Sequence, residues 1–423
     1  MTALATSLSS TLDRRLAQAT AVTGRWKARP DLRAPLAKVT AAVDFVARGV
    51  FWAWRNRRYL TVYKLANMAL INVEFLLKRE RVVGRPYAMK IEPTNICNTR
   101  CQLCPTGQGL KGRRKGRMDF EAFERLFKQV KHHLFELDLS MWGDPLVHGD
   151  IYRMINHAHR HGVWTYISSN LHAFRIEPRK TKDGGVESKD DATKLIESGL
   201  DMLTCSLHGA SQETFAIYQP GKSYADTLAK VRRIVETRRR LNSATPVIQL
   251  NFVVTRHNEH EIDRFRELAE SLDCRPIFSQ ASMNLRFLDR DKKLQPLGLA
   301  DDLLKQKTKD HLDEWLPTNP DYVLSNYQSI RDTGAHPGPE FNGNKMHNCA
   351  WPWRQSVINW DGEVVVCCGS FEHELDMGSA LDRPFSKVWN GEKYRMARRS
   401  FKKRISDEQA EDNPCAECPG FML

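Results

Sequence analysis

Three thiols in one short stretch, Cys97-x3-Cys101-x2-Cys104, constrain this chain more than any other feature. On so tight a loop they converge on one metal centre, and no fourth ligand follows nearby. A structural zinc site wants four protein ligands in a closed tetrahedron. A cubane of four irons also wants four ligands, but an iron left without a cysteine can take its ligand from a substrate. The spacing therefore points to a cluster with one iron left open.

The surroundings place that loop. Tyr87-Ala88-Met89-Lys90-Ile91-Glu92 reads as a short strand ended by Pro93 and Thr94. The cysteines thus sit at the carboxyl end of a first strand, where ligand loops of parallel α/β folds and barrels collect. A helix with Asp119 as its cap is expected over 119–133. Strand-like runs follow at 136–141, 163–168, 202–206, 247–254 and 275–278, alternating with helical periodicity at 151–161, 192–198, 224–241 and 259–272. These make six β/α units, an α/β fold expected to be a partial, open (β/α)6 TIM-like barrel with its active site on the loops that follow the strands. The loops carry Trp142-Gly143-Asp144-Pro145, Ser168-Ser169-Asn170 and Ser206-Leu207-His208-Gly209. Glycine lets backbone approach a ligand closely, Asp supplies an acceptor, and His208 is of a type that titrates near neutrality. A flexible basic tract is expected at 111–117. Cys205 and Cys274 lie in or beside apolar strands and read as buried structural thiols.

The remaining cysteines lie far downstream: Cys349, Cys367-Cys368 and Cys415-x2-Cys418. Between them, Ser356 to Cys367 reads as a β-hairpin turning at Asp361-Gly362. That hairpin brings Cys349 and Cys367 towards one end, where Cys415 and Cys418 can close a four-thiolate site. Spacing alone does not separate zinc from iron–sulfur there.

Charge is distributed unevenly. Residues 1–90 hold 17 Lys/Arg against 5 Asp/Glu, which accounts for twelve of the thirteen net positive charges. The body is close to neutral, which argues against a nucleic-acid partner. The start of the chain shows no clean apolar signal core, and clustered cysteines suit a reducing, cytoplasmic setting. Residues 41–58 and 59–77 are apolar but interrupted by charge, too much so for a spanning helix. Two readings stay open for them: interfacial helices in peripheral contact with a membrane, or helices that cover the catalytic domain with their arginines in water.

The cysteine motif, its lead-in Glu92-Pro93-Thr94-Asn95-Ile96-Cys97-Asn98 and the three downstream turns resemble the radical S-adenosylmethionine (radical SAM) superfamily. In that family such cysteines hold a [4Fe-4S] cluster whose fourth iron binds SAM. The resemblance implies that Gly143, Asp144, Pro145, Ser168, Asn170 and Ser206 contact SAM. Leu103 departs from it, standing where an aromatic residue often precedes the third cysteine. The distal cysteines and the Asp-Gly-x-Val-x-x-Cys hairpin resemble a SPASM or twitch extension. With four or five cysteines available, this implies one auxiliary [4Fe-4S] cluster on Cys349, Cys367, Cys415 and Cys418, with Cys367 chosen over Cys368 from the hairpin pattern.

The expected divisions are a basic helical extension over 1–85, the barrel over 86–283, a connector over 284–345 and a small α+β SPASM/twitch domain over 346–423. The resemblance also implies the chemistry: reductive cleavage of SAM, hydrogen abstraction by a 5′-deoxyadenosyl radical, and net dehydrogenation of a sugar, aminocyclitol or lipid-linked substrate. A flavodoxin- or ferredoxin-type donor would supply the electron. The competing readings are a peptide maturase and a non-catalytic iron–sulfur or zinc scaffold.

Overall fold

The computed structural model describes residues 56–109, 112–178, 185, 187–282, 300–324, 327–328, 331, 349–402, 413 and 415. Two compact units divide the chain, residues 1–58 and 59–423, and the second holds the sheet. Of the apolar segment at 41–58, residues 41–55 lie outside the described residues, as do the start of the basic tract at Lys111 and the Cys418 thiol.

Six apolar runs become the strands β1 (Ala88–Ile91), β2 (Glu136–Asp138), β3 (Trp164–Ser169), β4 (Met202–Ser206), β5 (Val247–Val254) and β6 (Arg275–Gln280). Each pairs in parallel with the next, as strands joined by long crossovers must. Helix α1 (Val62–Leu76) precedes the sheet. The crossovers hold α2 (Phe120–Val130), α3 (Ile151–Arg160), α4 (Asp191–Glu197), α5 (Gln212–Tyr218), α6 (Tyr224–Arg240) and α7 (Ile262–Ser271). Asp119 caps α2 as expected, accepting the Ala122 N–H at 2.6 Å. Helix α5 is an addition to the expected elements.

The barrel stays open, as expected. Its β1 edge pairs not with β6 but, in parallel, with β7 (Gln355–Ile358). Strands β8 (Glu363–Val365) and β9 (Gly378–Ser379) then continue antiparallel, so one sheet runs β6-β5-β4-β3-β2-β1-β7-β8-β9. The expected hairpin forms, and Gly362 at φ +87 takes the left-handed conformation its turn requires. That the hairpin joins the barrel sheet is a finding that local pattern does not announce.

Along β3 and β5 alternate residues are buried. Ile167, Leu250 and Phe252 are fully buried in the main core, whereas Tyr166 and Ser168 face a cavity inside the barrel. Phe123 and Phe127 of α2 stack at 5.6 Å in the same core. Helix α8 (Ala300–Trp315) lies in the connector, and Leu312, Trp315 and Leu316 pack with Leu103 of the cysteine loop, which is 3% exposed. Beyond it come α9 (Trp351–Arg354), α10 (Phe385–Trp389) and α11 (Glu392–Arg399).

Two segments depart from expectation. The basic tract is no free loop: the Arg113 side chain is buried and paired with Asp376 and, at 3.2 Å, with Asp361. The Arg114 carbonyl accepts from Trp360 Nε1 at 3.1 Å, and Asn95 bonds both Arg114 and Gly116 at 2.9 Å. The tract therefore fastens the cysteine loop to the hairpin. Helix α1, assigned from sequence to a separate extension, belongs to the compact unit and packs on α9. Its Lys64 Nζ donates to the Gly162 carbonyl just before β3, and Tyr59 Oη bonds Asp201 just before β4. Helix α1 thus lies across the amino ends of the strands.

Removing one partner of a buried ion pair leaves the other uncompensated. Arg113→Ala is expected to destabilise the fold by about 3 kcal/mol, read as a lowered urea midpoint; an unchanged midpoint would show that the clamp carries no stability.

Candidate active site

At the carboxyl ends of β1 to β4 the barrel opens on a cavity of about 360 Å³. Cys97, Cys101 and Cys104 line it, with free thiols. Gly143, Asp144, Ser168, Asn170 and Ser206 line it too. Pro145 is not among the lining residues; it is buried and opens a single 3-10 turn, Pro145–Val147.

The cysteine loop is held by backbone. Asp144 N–H donates to Ile96 C=O at 3.1 Å, and Gln102 N–H to Tyr218 C=O at 3.3 Å. Gly143 lies so close to the lead-in that a Cβ would stand 2.1 Å from the Thr94 carbonyl oxygen, so only glycine fits. Asn170 Nδ2 donates to Cys97 Sγ at 3.5 Å and to Asn98 Oδ1 at 3.1 Å. Burial pushes the Cys97 and Cys101 thiols up, and the neighbouring thiols push the same way. A cationic metal centre is what reverses that, since coordination deprotonates a thiol outright. Among the described residues no three His, Cys, Asp or Glu side chains are gathered to hold a single ion. A multi-iron cluster, with one thiolate to each of several irons, fits three thiols that line one cavity.

Two buried carboxylates brace the loops. Asp144 accepts Leu146 N–H at 2.9 Å, Asn170 N–H at 2.8 Å and Ser169 Oγ at 2.9 Å. Its lone pairs are thus committed to protein donors, and Asp144 positions the loops after β2 and β3. Glu92, 0% exposed, accepts Trp142 N–H at 3.0 Å and Trp360 N–H at 3.4 Å. Burial, only partly offset by those bonds, raises its pKa from 4.5 to about 7.

The strands supply a polar wall that motif reading missed. Lys90, Asp138 and Tyr166 are register partners across β1, β2 and β3, and all three line the cavity. Burial opposes the Lys90 charge, but its bond to Asp138 prevails and holds the ammonium above its ordinary range. Asp138 also accepts Ser140 N–H at 2.8 Å. The signal lay in Lys90 within an otherwise apolar strand and in Asp138 two residues into the next.

His208 corrects an expectation. It lines the cavity, but burial pushes its pKa down to about 3, and its Nδ1 accepts Val253 N–H at 3.2 Å. It stays neutral at physiological pH. Asn258 donates to the His208 and Val253 carbonyls, bracing the loops after β4 and β5.

Cys349, Cys367 and Cys368 gather beside the hairpin. Cys349 and Cys367 pack beside Trp351, Val357 and Val365. Cys367 and Cys415 both act on the Tyr394 hydroxyl, which burial raises. Cys368 packs in the same group and also lines the barrel cavity, where Lys90 interacts with it.

Residues 91–269 match the radical SAM superfamily, and residues 349–419 match SPASM, an iron–sulfur cluster-binding domain. A probable GTP 3′,8-cyclase of Saccharolobus islandicus is 26% identical over 197 residues, 46% of this chain and 56% of that protein. The match thus spans little more than half of the cyclase. The mycofactocin maturase MftC of Mycolicibacterium smegmatis is 23% identical over 345 residues, 81% of this chain and 78% of that protein. Streptococcus suis SuiB bound to precursor peptide SuiA has a TM-score of 0.52 at 15% identity, covering 84% of this chain and 75% of that one; this likeness is one of fold.

The raised Glu92 carboxyl binds its proton more tightly in the folded than in the unfolded protein. Its contribution to stability is therefore complete below about pH 4.5 and lost as pH rises through about 7. Glu92→Gln, which keeps an acceptor oxygen, is expected to remove about 3 kcal/mol of pH dependence across that window. Urea titrations at stepped pH check it, and an unaltered slope would refute it.

Proposed function

This chain belongs to the radical SAM superfamily and carries a carboxyl-terminal SPASM domain, and from that premise we propose that it oxidises a carbon centre of a sugar, aminocyclitol or lipid-linked substrate. Its cofactors are SAM and [4Fe-4S] clusters. When bound, these supply a reductively generated 5′-deoxyadenosyl radical that takes a hydrogen atom, and an acceptor for the electron left on the substrate. The substrate thereby loses a hydrogen atom, an electron and a proton, a two-electron oxidation.

The chain does the rest. Cys97, Cys101 and Cys104 hold the first cluster; Cys349, Cys367, Cys415 and Cys418 hold the second. Backbone at Gly143 and Asp144, with Ser168, Asn170 and Ser206, receives SAM, and Asn170 also donates to a cluster thiolate. Residues 86–283 form the catalytic unit and 346–423 the auxiliary one, joined by 284–345. One observation supports an oxygen-rich substrate: Lys90, Asp138 and Tyr166 face the same cavity as the three thiols. The Lys90 ammonium orients a substrate oxygen and stabilises negative charge on it. A peptide substrate is the second reading, favoured by the similarity to a maturase across four-fifths of this chain.

Anaerobic reconstitution is expected to load about eight irons with matching sulfide. Replacing Cys97, Cys101 and Cys104 together with Ala should leave about four irons and no 5′-deoxyadenosine; cleavage at the wild-type rate, or zinc without sulfide, overturns the reading. Lys90→Met should keep SAM cleavage in the absence of substrate and lower coupled turnover at least about tenfold. Unchanged coupled turnover removes Lys90 from substrate binding and favours the peptide reading.

A further inference from the structure

Helix α1 is built inside out. Its buried face carries Lys64, Asn67 and Glu74 beside Ile71 and Phe75. Each of the polar groups is satisfied. Lys64 Nζ donates to the Tyr59 and Gly162 carbonyls at 3.1 and 2.6 Å. Asn67 brackets the Arg85 backbone at 2.8 and 2.9 Å, and Glu74 accepts the Val83 and Gly84 N–H groups at 2.8 and 2.9 Å. The outward face is wholly apolar: Val62 (85% exposed), Tyr63, Leu65, Leu70, Val73 and Leu76 (73%), continued by Leu77 and Val83. The only charged residues of the helix, Lys64 and Glu74, are the ones turned inward.

Scattered exposed hydrophobics need no explanation, but a contiguous patch does. Outside residues 62–83, only Ile217 and Leu381 appear among the exposed large hydrophobics of the described residues. We propose that this outward face of α1 docks on an anionic lipid surface. Charge chooses the occupant. Arg79 and Arg81 are exposed just past the carboxyl end of the helix, beside Leu76, Leu77 and Val83 of the apolar face. A second copy of the chain would set these cations against one another, whereas an acidic bilayer receives both the apolar stripe and the cations.

The helix lies on the bilayer and does not cross it. Its 15 residues span about 22 Å, short of a hydrocarbon core of about 30 Å. Its inner face is bonded to the protein, and among the described residues no helix is long and apolar enough to cross a membrane. Docking of this kind requires neither the cofactors nor the substrate.

Flotation of the full chain with phosphatidylcholine vesicles, with and without phosphatidylglycerol, tests it. The wild type is expected to float with the acidic vesicles. Leu65→Glu combined with Val73→Glu, both on the solvent face, should lower the bound fraction at least about tenfold. Circular dichroism and SAM cleavage should stay at wild-type values, which separates lost docking from lost folding. A wild type that remains at the bottom of the gradient overturns the proposal. So does a double variant that floats like the wild type. So does a wild type that fails to float yet is a dimer which the substitutions split, since a second copy would then cover the face.

Discussion

The Glu92 carboxyl group accepts N–H groups from Trp142 and Trp360, two residues that lie more than two hundred positions apart in the chain. It stands at the end of β1, one residue before the turn that leads into the cysteines. Trp142 lies in the loop after β2, and Trp360 sits in the turn between β7 and β8. One buried group therefore sets the cysteine loop, the Gly143 backbone and the hairpin at fixed mutual positions. Asp144 extends the brace to the loop after β3 through Ser169 and Asn170. The cost of holding carboxyl groups out of water is offset in part by donors that belong to the very loops needing support.

Much of this was legible in the sequence, where the chemistry is local. Helix α2 repeats its phenylalanines at helical spacing behind an Asp cap, and the Asp361-Gly362 turn can scarcely be anything but a hairpin. The three-cysteine motif stands out because thiols at that spacing have few other uses. The features that stayed hidden depend on distant partners. The pairing of β7 with β1 leaves no periodicity in either strand. Lys90, Asp138 and Tyr166 look unrelated until strand register sets them side by side. His208 looks like a group that titrates near neutrality until its burial is known. Helix α1 reads as an apolar stretch, and only its packing shows that the polar residues are the ones turned inward.

The two groups of cysteines share a structural frame. The sheet is continuous from β6 to β9, and Cys368 follows Cys367 directly yet lines the barrel cavity. Met141, next to Trp142, lines the cavity and also packs against the cluster of Trp351, Val357 and Val365. Contacts of this kind leave little room for the hairpin to move independently of the barrel loops.

The parallel pairing of Ala88 with Gln355 also bears on how the chain assembles. On a ribosome, β1 emerges long before β7, and its second edge stays unpaired until the chain has been made through Ile358. An open edge of that kind is a template for wrong partners, and contacts so far apart in sequence close slowly. The barrel half can collapse around its helices, but its final edge waits for β7. Synthesis order thus makes the hairpin the closing piece of the fold, and a nascent chain stalled before it would present a bare strand to chaperones and to its neighbours.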